Sequence, residues 1–270
     1  MEDEIKDIMV ESTTKVVTQA YEDIAHPILK SIGNIVSLPF KAIDAALTPI
    51  KKWVDKRNFN YEETKKILAQ KLENIEEDKI VEPEAYVAVP ALQQLSYSYD
   101  SVDLRNMYAN LLASSMVEST KFSVHPSFVD IIKQLSPLDA RALNILYTPQ
   151  YITVINISAH YIKIDSYKEL YNNYSLELAE IYRDNLEQSS SLLNLERLGI
   201  IQIDYERTVS PKSRYDIYDD SFIVNRAKER YKDDKEVEID IKQGLIRLTD
   251  FGLSFCMTCC DKKFEEEKQS

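Results

Sequence analysis

Only four glycines occur in 270 residues, and Gly33, Gly199, Gly244 and Gly252 stand far apart. Glycine supplies the left-handed backbone that tight turns and helix stops use. A chain so short of it is expected to be built mostly from helices. The same scarcity sets aside a glycine-rich loop around a phosphate, and with it P-loop and dinucleotide-binding architectures.

Apolar spacing supports a helical start. Ile5, Ile8 and Met9, then Val16, Val17, Ala20 and Ile24, fall on one helical face. The stretch from Ile24 to Val54 is the most apolar of the chain, and Pro27, Pro39 and Pro49 should divide it into short helical pieces. Lys30, Lys41 and Asp44 interrupt it, leaving no run of about 20 uncharged residues to span a bilayer. A basic and aromatic border follows at Lys51, Lys52, Trp53, Lys56 and Arg57. Two readings stay open. The stretch packs into the protein's own core, or it contacts a membrane surface or partner through Ile35, Leu38, Phe40, Ile43, Leu47, Lys51, Lys52 and Trp53.

Further along, Asn60 and Glu63 have capping-box spacing ahead of a helix carrying Ile67, Leu68, Leu72 and Ile75. A polar break from Glu76 to Glu84 contains Pro83. Pro90 is expected in the first turn of a helix with Ala91, Leu92 and Leu95, and Asp100 is expected to cap one with Leu104, Met107, Tyr108, Leu111 and Leu112. His125 and Pro126 mark a boundary before the apolar face Phe128, Ile131, Ile132 and Leu135, and a structural role suits His125. Ser136 and Pro137, with Asp139 in the first turn, start a helix that should bury Leu138, Ala142, Leu143 and Leu146.

The β-branched and aromatic run Tyr151 to Ile157 is expected as a short strand. A helix is expected from Ser175 to Arg197, stopped by Gly199. A strand should follow at Ile200 to Ile203, with its antiparallel partner at Gly244 to Thr249. Thr249 would cap a closing helix holding Phe251, Leu253 and Phe255. That order is the winged-helix arrangement. The expected fold class is therefore mainly α: a helical domain over 1–122 containing the apolar segment 24–57, then a winged-helix domain over 123–262. Its wing carries a charged insert, 204–240, read as mobile or partly helical, and a charged tail occupies 263–270.

Charge limits the partners. The net charge is −12, and acid exceeds base on both sides of Thr120, whereas specific duplex interfaces are strongly positive. The candidate contact residues of the winged helix are Gln188, Asn194, Arg197, Lys212 and Arg214. Glu187 and Glu196 lie among the first three, and Asp204, Glu206, Asp216, Asp219 and Asp220 surround the last two. Protein contact is the better reading and duplex nucleic acid is disfavoured.

Cys256, Cys259 and Cys260 are an odd, clustered set, a poor disulfide framework. With the acidic start Met1-Glu2-Asp3-Glu4 they point to a reducing cytoplasm. Zinc needs four ligands, and His26, His125 and His160 have no matching spacing, so the cysteines read as small core residues. No GxSxG elbow, HExxH pair or paired-acid motif stands out, so neither an enzyme nor a cofactor is expected. The 17 tyrosines are scattered and read as amphipathic core and interface filling.

The segments LPFKAIDAALTPIKKWVDKR, LRNMYANLLASSM, HPSFVDIIKQLSPLDARAL, LERLGII and IRLTDFGLSFCMTC, in this order, resemble the bacterial Abi-alpha family over about Ile24 to Cys260. The resemblance implies a part in abortive infection, in which a phage-infected cell shuts down before progeny are released. It brings no catalytic residues with it. The expected function is a non-enzymatic phage-defence protein acting through a protein partner or self-association, with Ile24 to Arg57 available for membrane contact. Its expected place is the cytoplasm or the inner face of the inner membrane. The alternative is a winged-helix regulator that binds nucleic acid.

Overall fold

The computed structural model describes residues 61–95, 101–148 and 151–261. The apolar stretch Ile24 to Val54 with its contact residues, the helix expected before it, and the Asn60 cap lie outside the described residues. The chain divides into two compact units, Met1–Asp130 and Ile131–Ser270.

In the first unit, helices α1 (Tyr61–Leu72) and α2 (Ala85–Leu95) each pack on α3 (Val102–Ser115). Leu68 and Leu72, then Leu92 and Leu95, then Met107, Tyr108, Leu111 and Leu112 are buried at the helical spacing the sequence shows. An antiparallel bridge joins Ile80 to Val117 across the polar break. Pro90 sits inside α2 and not in its first turn. The helix is already started upstream, where the Glu84 carbonyl accepts from the amides of Val87 and Ala88 at 3.0 and 2.9 Å. The cap of α3 is Ser101, whose hydroxyl accepts from the Leu104 amide at 3.3 Å.

Helix α4 (Ser127–Lys133) begins where His125 was read as structural. The His125 Nδ1 accepts from the Ser127 amide at 3.2 Å, and its carbonyl accepts from the Phe128 amide at 3.0 Å.

The second unit opens with α5 (Pro137–Leu146), held by a reciprocal capping box between Ser136 and Asp139. It continues through β1 (Ile152–Tyr161), β2 (Ser166–Tyr174), α6 (Asn185–Arg197), β3 (Ile201–Asp204), α7 (Phe222–Tyr231), β4 (Val237–Leu248) and α8 (Asp250–Cys259). Its four strands form an antiparallel sheet in the order β2-β1-β4-β3. The fold is therefore mixed α+β, which overturns the mainly-α expectation, and a winged helix is not shown.

Three local differences produce that correction. The strand at Tyr151 to Ile157 is longer, and it hairpins into β2, which the sequence reading missed. The helix expected from Ser175 begins at Asn185, capped by Asp184, whose carboxylate accepts from the Glu187 amide at 2.9 Å. The supposed wing partner starts at Val237 and pairs with β1 over ten positions, from Ile152↔Ile246 to Tyr161↔Val237, but with β3 over only four. The insert 204–240 contains the helix α7 and packs on the sheet. Val209, Tyr215, Tyr218, Ile223, Val224 and Ala227 from it are buried with Ile155, Ile157 and Leu245 of the sheet. Its charges lie on the outer face, and its apolar residues recur at helical spacing beneath them.

Two glycines are required where the closing helix meets β3. Gly199 takes φ of +73° and ends α6. A Cβ at Gly252 would lie 1.8 Å from the Ile200 carbonyl oxygen, because the Thr249 amide donates to that same oxygen at 3.0 Å. Gly252→Ala is expected to destabilise the protein by about 3 kcal/mol, and Gly199→Ala by about 1–2 kcal/mol, both read from urea midpoints. A Gly252→Ala protein as stable as wild type would contradict this packing.

Candidate functional site

Of three tyrosines between β3 and α7, Tyr215 and Tyr218 insert their rings into the core and Tyr205 is half-buried, and all three spend their hydroxyls on the sheet. The Tyr205 hydroxyl lies 2.7 Å from Asn156 Oδ1 and 2.9 Å from Asn173 Oδ1. Gly244 leaves room for its ring, since a Cβ there would meet Tyr205 Cδ1 at 2.6 Å. Tyr215 donates to the Gly244 carbonyl at 2.6 Å and accepts from the Val209 amide at 3.0 Å. Tyr218 donates to the Thr153 carbonyl at 3.0 Å and accepts from the Leu176 amide at 3.2 Å. Beside it, Glu177 Oε1 accepts from the Thr153 hydroxyl at 2.7 Å, with Arg214 at 3.6 Å.

A second buried network surrounds Asp139. Its carboxylate accepts from the Ser136 amide at 2.7 Å, from Asn194 Nδ2 at 3.2 Å and from the Ser191 hydroxyl. The Tyr182 and Ser191 hydroxyls are 2.8 Å apart. Burial pushes the Tyr182 phenol up to about 12, against a small lowering by Ser191. Burial also raises Tyr205 and Tyr218. These hydroxyls stay protonated at neutral pH and act as fixed donors.

The tyrosine-anchored segment presents α7 beside β2, and an open groove of about 1010 Å³ runs between them, lined by Tyr171, Phe222, Arg226, Lys228, Arg230 and Lys232. Tyr171, Phe222 and Arg226 also line a smaller pocket of about 270 Å³ that reaches Tyr182 and Arg183. Phe222 is 76% exposed at their junction, with the Arg226 guanidinium 6.0 Å from its ring centroid. The Arg230 guanidinium lies 5.6 Å from the Tyr231 ring centroid. Lys232 pairs with Glu229, whereas Arg226, Lys228 and Arg230 have no carboxylate partner among the described residues. Among the described residues, this groove brings aromatic rings together with Arg226, Lys228 and Arg230, and Glu229 also lines it.

Of the residues expected to make winged-helix contacts, Asn194 and Arg197 meet at Gln134, and their side chains are bonded to each other at 2.8 Å. Gln188 is buried and clasps Ser175, accepting from its amide at 3.2 Å and donating to its carbonyl at 2.7 Å. Asn194 donates to the Gln134 carbonyl at 3.1 Å, and Arg197 to Gln134 Oε1 at the same distance. Lys212 is exposed in a 3₁₀ turn, and Arg214 turns toward Glu177. The groove residues lie in what was read as a charged insert. The interleaving of Phe222, Arg226, Lys228, Arg230 and Tyr231 was the available signal, masked there by flanking acids.

Cys256, Cys259 and Cys260 are buried free thiols. A hydrogen bond with Cys260, then burial, raises Cys256, and burial raises Cys259, so neither offers a thiolate nucleophile. Among the described residues, no group of three His, Cys, Asp or Glu could hold a metal ion.

The buried phenols set the alkaline limit of the fold. The unfolded chain ionises its tyrosines near 10.0, while Tyr182 holds its proton to about 12. The stability this confers is full below pH 10 and falls as pH rises toward 12. In a pH series of urea unfolding, Tyr182→Phe is expected to flatten that decline. If the folded protein showed only ordinary phenolate titration by ultraviolet absorbance, the buried networks would be wrong.

A family model described as abortive infection alpha matches residues 56–259 of the chain. Among solved structures, the chain is similar to an uncharacterized protein from the hydrocarbon-degrading marine bacterium Alcanivorax borkumensis SK2. They share 13% identity over 52% of this chain and 94% of that one, with a TM-score of 0.33. No curated protein matches the chain.

Proposed function

We propose a function from one premise: the chain belongs to the abortive infection alpha family. It is a phage-defence component that works by association and performs no chemistry of its own. The groove between β2 and α7 is its recognition surface, and Ile24 to Arg57 is its effector arm, contacting a protein partner or a membrane surface. Among the described residues no helix is long and apolar enough to cross a membrane, so contact at a bilayer would be peripheral.

One observation carries this reading. The polar groups around Asp139 and Tyr218 bond to one another, while Phe222, Arg226 and Arg230 are exposed. An exposed aromatic ring flanked by unpaired cations is unspent binding capacity.

Plaque assays on a host expressing the chain test the reading. Phe222→Ala combined with Arg226→Glu is expected to cut protection by about tenfold or more, the effect of losing a contact worth about 1.4 kcal/mol. Leu38→Glu with Phe40→Glu is expected to abolish protection while leaving the protein folded. Full protection by the first variant would remove the groove from the account, and by the second, the effector arm.

A further inference from the structure

We propose that the groove between β2 and α7 binds single-stranded nucleic acid, with a base stacked on Phe222 and the backbone phosphates on Arg226 and Arg230. This rests on the reading of the groove as the recognition surface and names the class of its ligand.

The spacing supports it. Phe222, Arg226 and Arg230 stand at i, i+4 and i+8 of α7, one above another on successive turns. Each step is about 6 Å along the helix, comparable to the separation of neighbouring phosphates on an extended strand. Phe222 lies at the start of this ridge with its ring in solvent, and Tyr171 of β2 faces the same groove. A stacking ring at one end of a row of cations is the arrangement that holds single strands without reading their sequence. The groove is open and large enough for more than one nucleotide.

Charge separates this ligand from its competitors. Of the carboxylates that line these cavities, Glu229 is engaged by Lys232, and Asp184 accepts from the Glu187 amide at 2.9 Å. A duplex keeps its bases stacked inside, so Phe222 would have nothing to stack on, and the acidic remainder of the chain would repel the second backbone.

Fluorescence polarisation of the full chain with a fluorescein-labelled oligothymidine tests the inference. Binding is expected at low salt, weakening as salt rises with a log–log slope of about −1.4, the value for two phosphate contacts on a single strand. Phe222→Ala is expected to weaken binding by at least about fivefold, and Arg226→Glu with Arg230→Glu to abolish it. Both changes are on exposed side chains, and unchanged circular dichroism would confirm that the fold persists. No binding at low salt, binding indifferent to Phe222→Ala, or equal binding of a duplex or of polyglutamate would overturn the inference. If the oligonucleotide fails to bind while the groove variant loses phage protection, the ligand class falls and the recognition surface stands. If the oligonucleotide binds while that variant protects fully, the reverse holds.

Discussion

The antiparallel ladder between β1 and β4, from Ile152 opposite Ile246 to Tyr161 opposite Val237, joins segments that the chain separates by β2, α6, β3 and α7. It runs without a slip, so every later element inherits its register. A one-residue shift would turn Ile155, Ile157 and Leu245 away from the core they share. Closing so long a loop costs conformational entropy before the ladder returns any of it. The segment between β3 and β4 must therefore be held against the sheet by contacts of its own.

Tyrosine supplies those contacts. Tyr215 and Tyr218 bury their rings and Tyr205 is half-buried, and the hydroxyls of Tyr205, Tyr215 and Tyr218 meet the sheet at Asn156, the Gly244 carbonyl and the Thr153 carbonyl. At Tyr215 or Tyr218 a phenylalanine would bury similar area but remove the donor to the Gly244 or Thr153 carbonyl, a deficit of about 1–3 kcal/mol at a buried site. The three anchors fix the approach to α7, and Ile223, Val224 and Ala227 seal its inner face. Its outer face is then fixed beside β2, which sets Phe222, Arg226 and Arg230 along the groove. The recognition surface is a consequence of how the insert is pinned.

Much of the local structure was legible in the sequence because its causes are local. The capping box at Ser136 and Asp139, the stop at Gly199, the cap at Thr249 and the apolar faces of α1 and α3 all depend on neighbours within a turn or two. The sheet was not legible. The β2 sequence SYKELYNNY lies at an edge and lacks an alternating apolar face, because β1 and α6 supply the burial around it. The pairing of β4 with β1 is long-range and leaves no mark in either segment. Acidic neighbours left the insert readable only as mobile or partly helical, without placing α7 or its buried face. Gln188 and Asn194 looked like contact residues because nothing in the sequence shows that Ser175, Gln134 and Asp139 return to meet them.

The central claim is that the surface formed by α7 and β2 is where this molecule meets its ligand and that the pinned core behind it is scaffold. Hydrogen–deuterium exchange of the full chain, with and without a saturating single-stranded oligonucleotide, tests it most directly. The account expects slowed exchange confined to the peptides spanning β2 and α7, with the β1–β4 ladder equally slow in both states. Protection centred on α1–α3, or no change at α7 despite bound oligonucleotide, would contradict it.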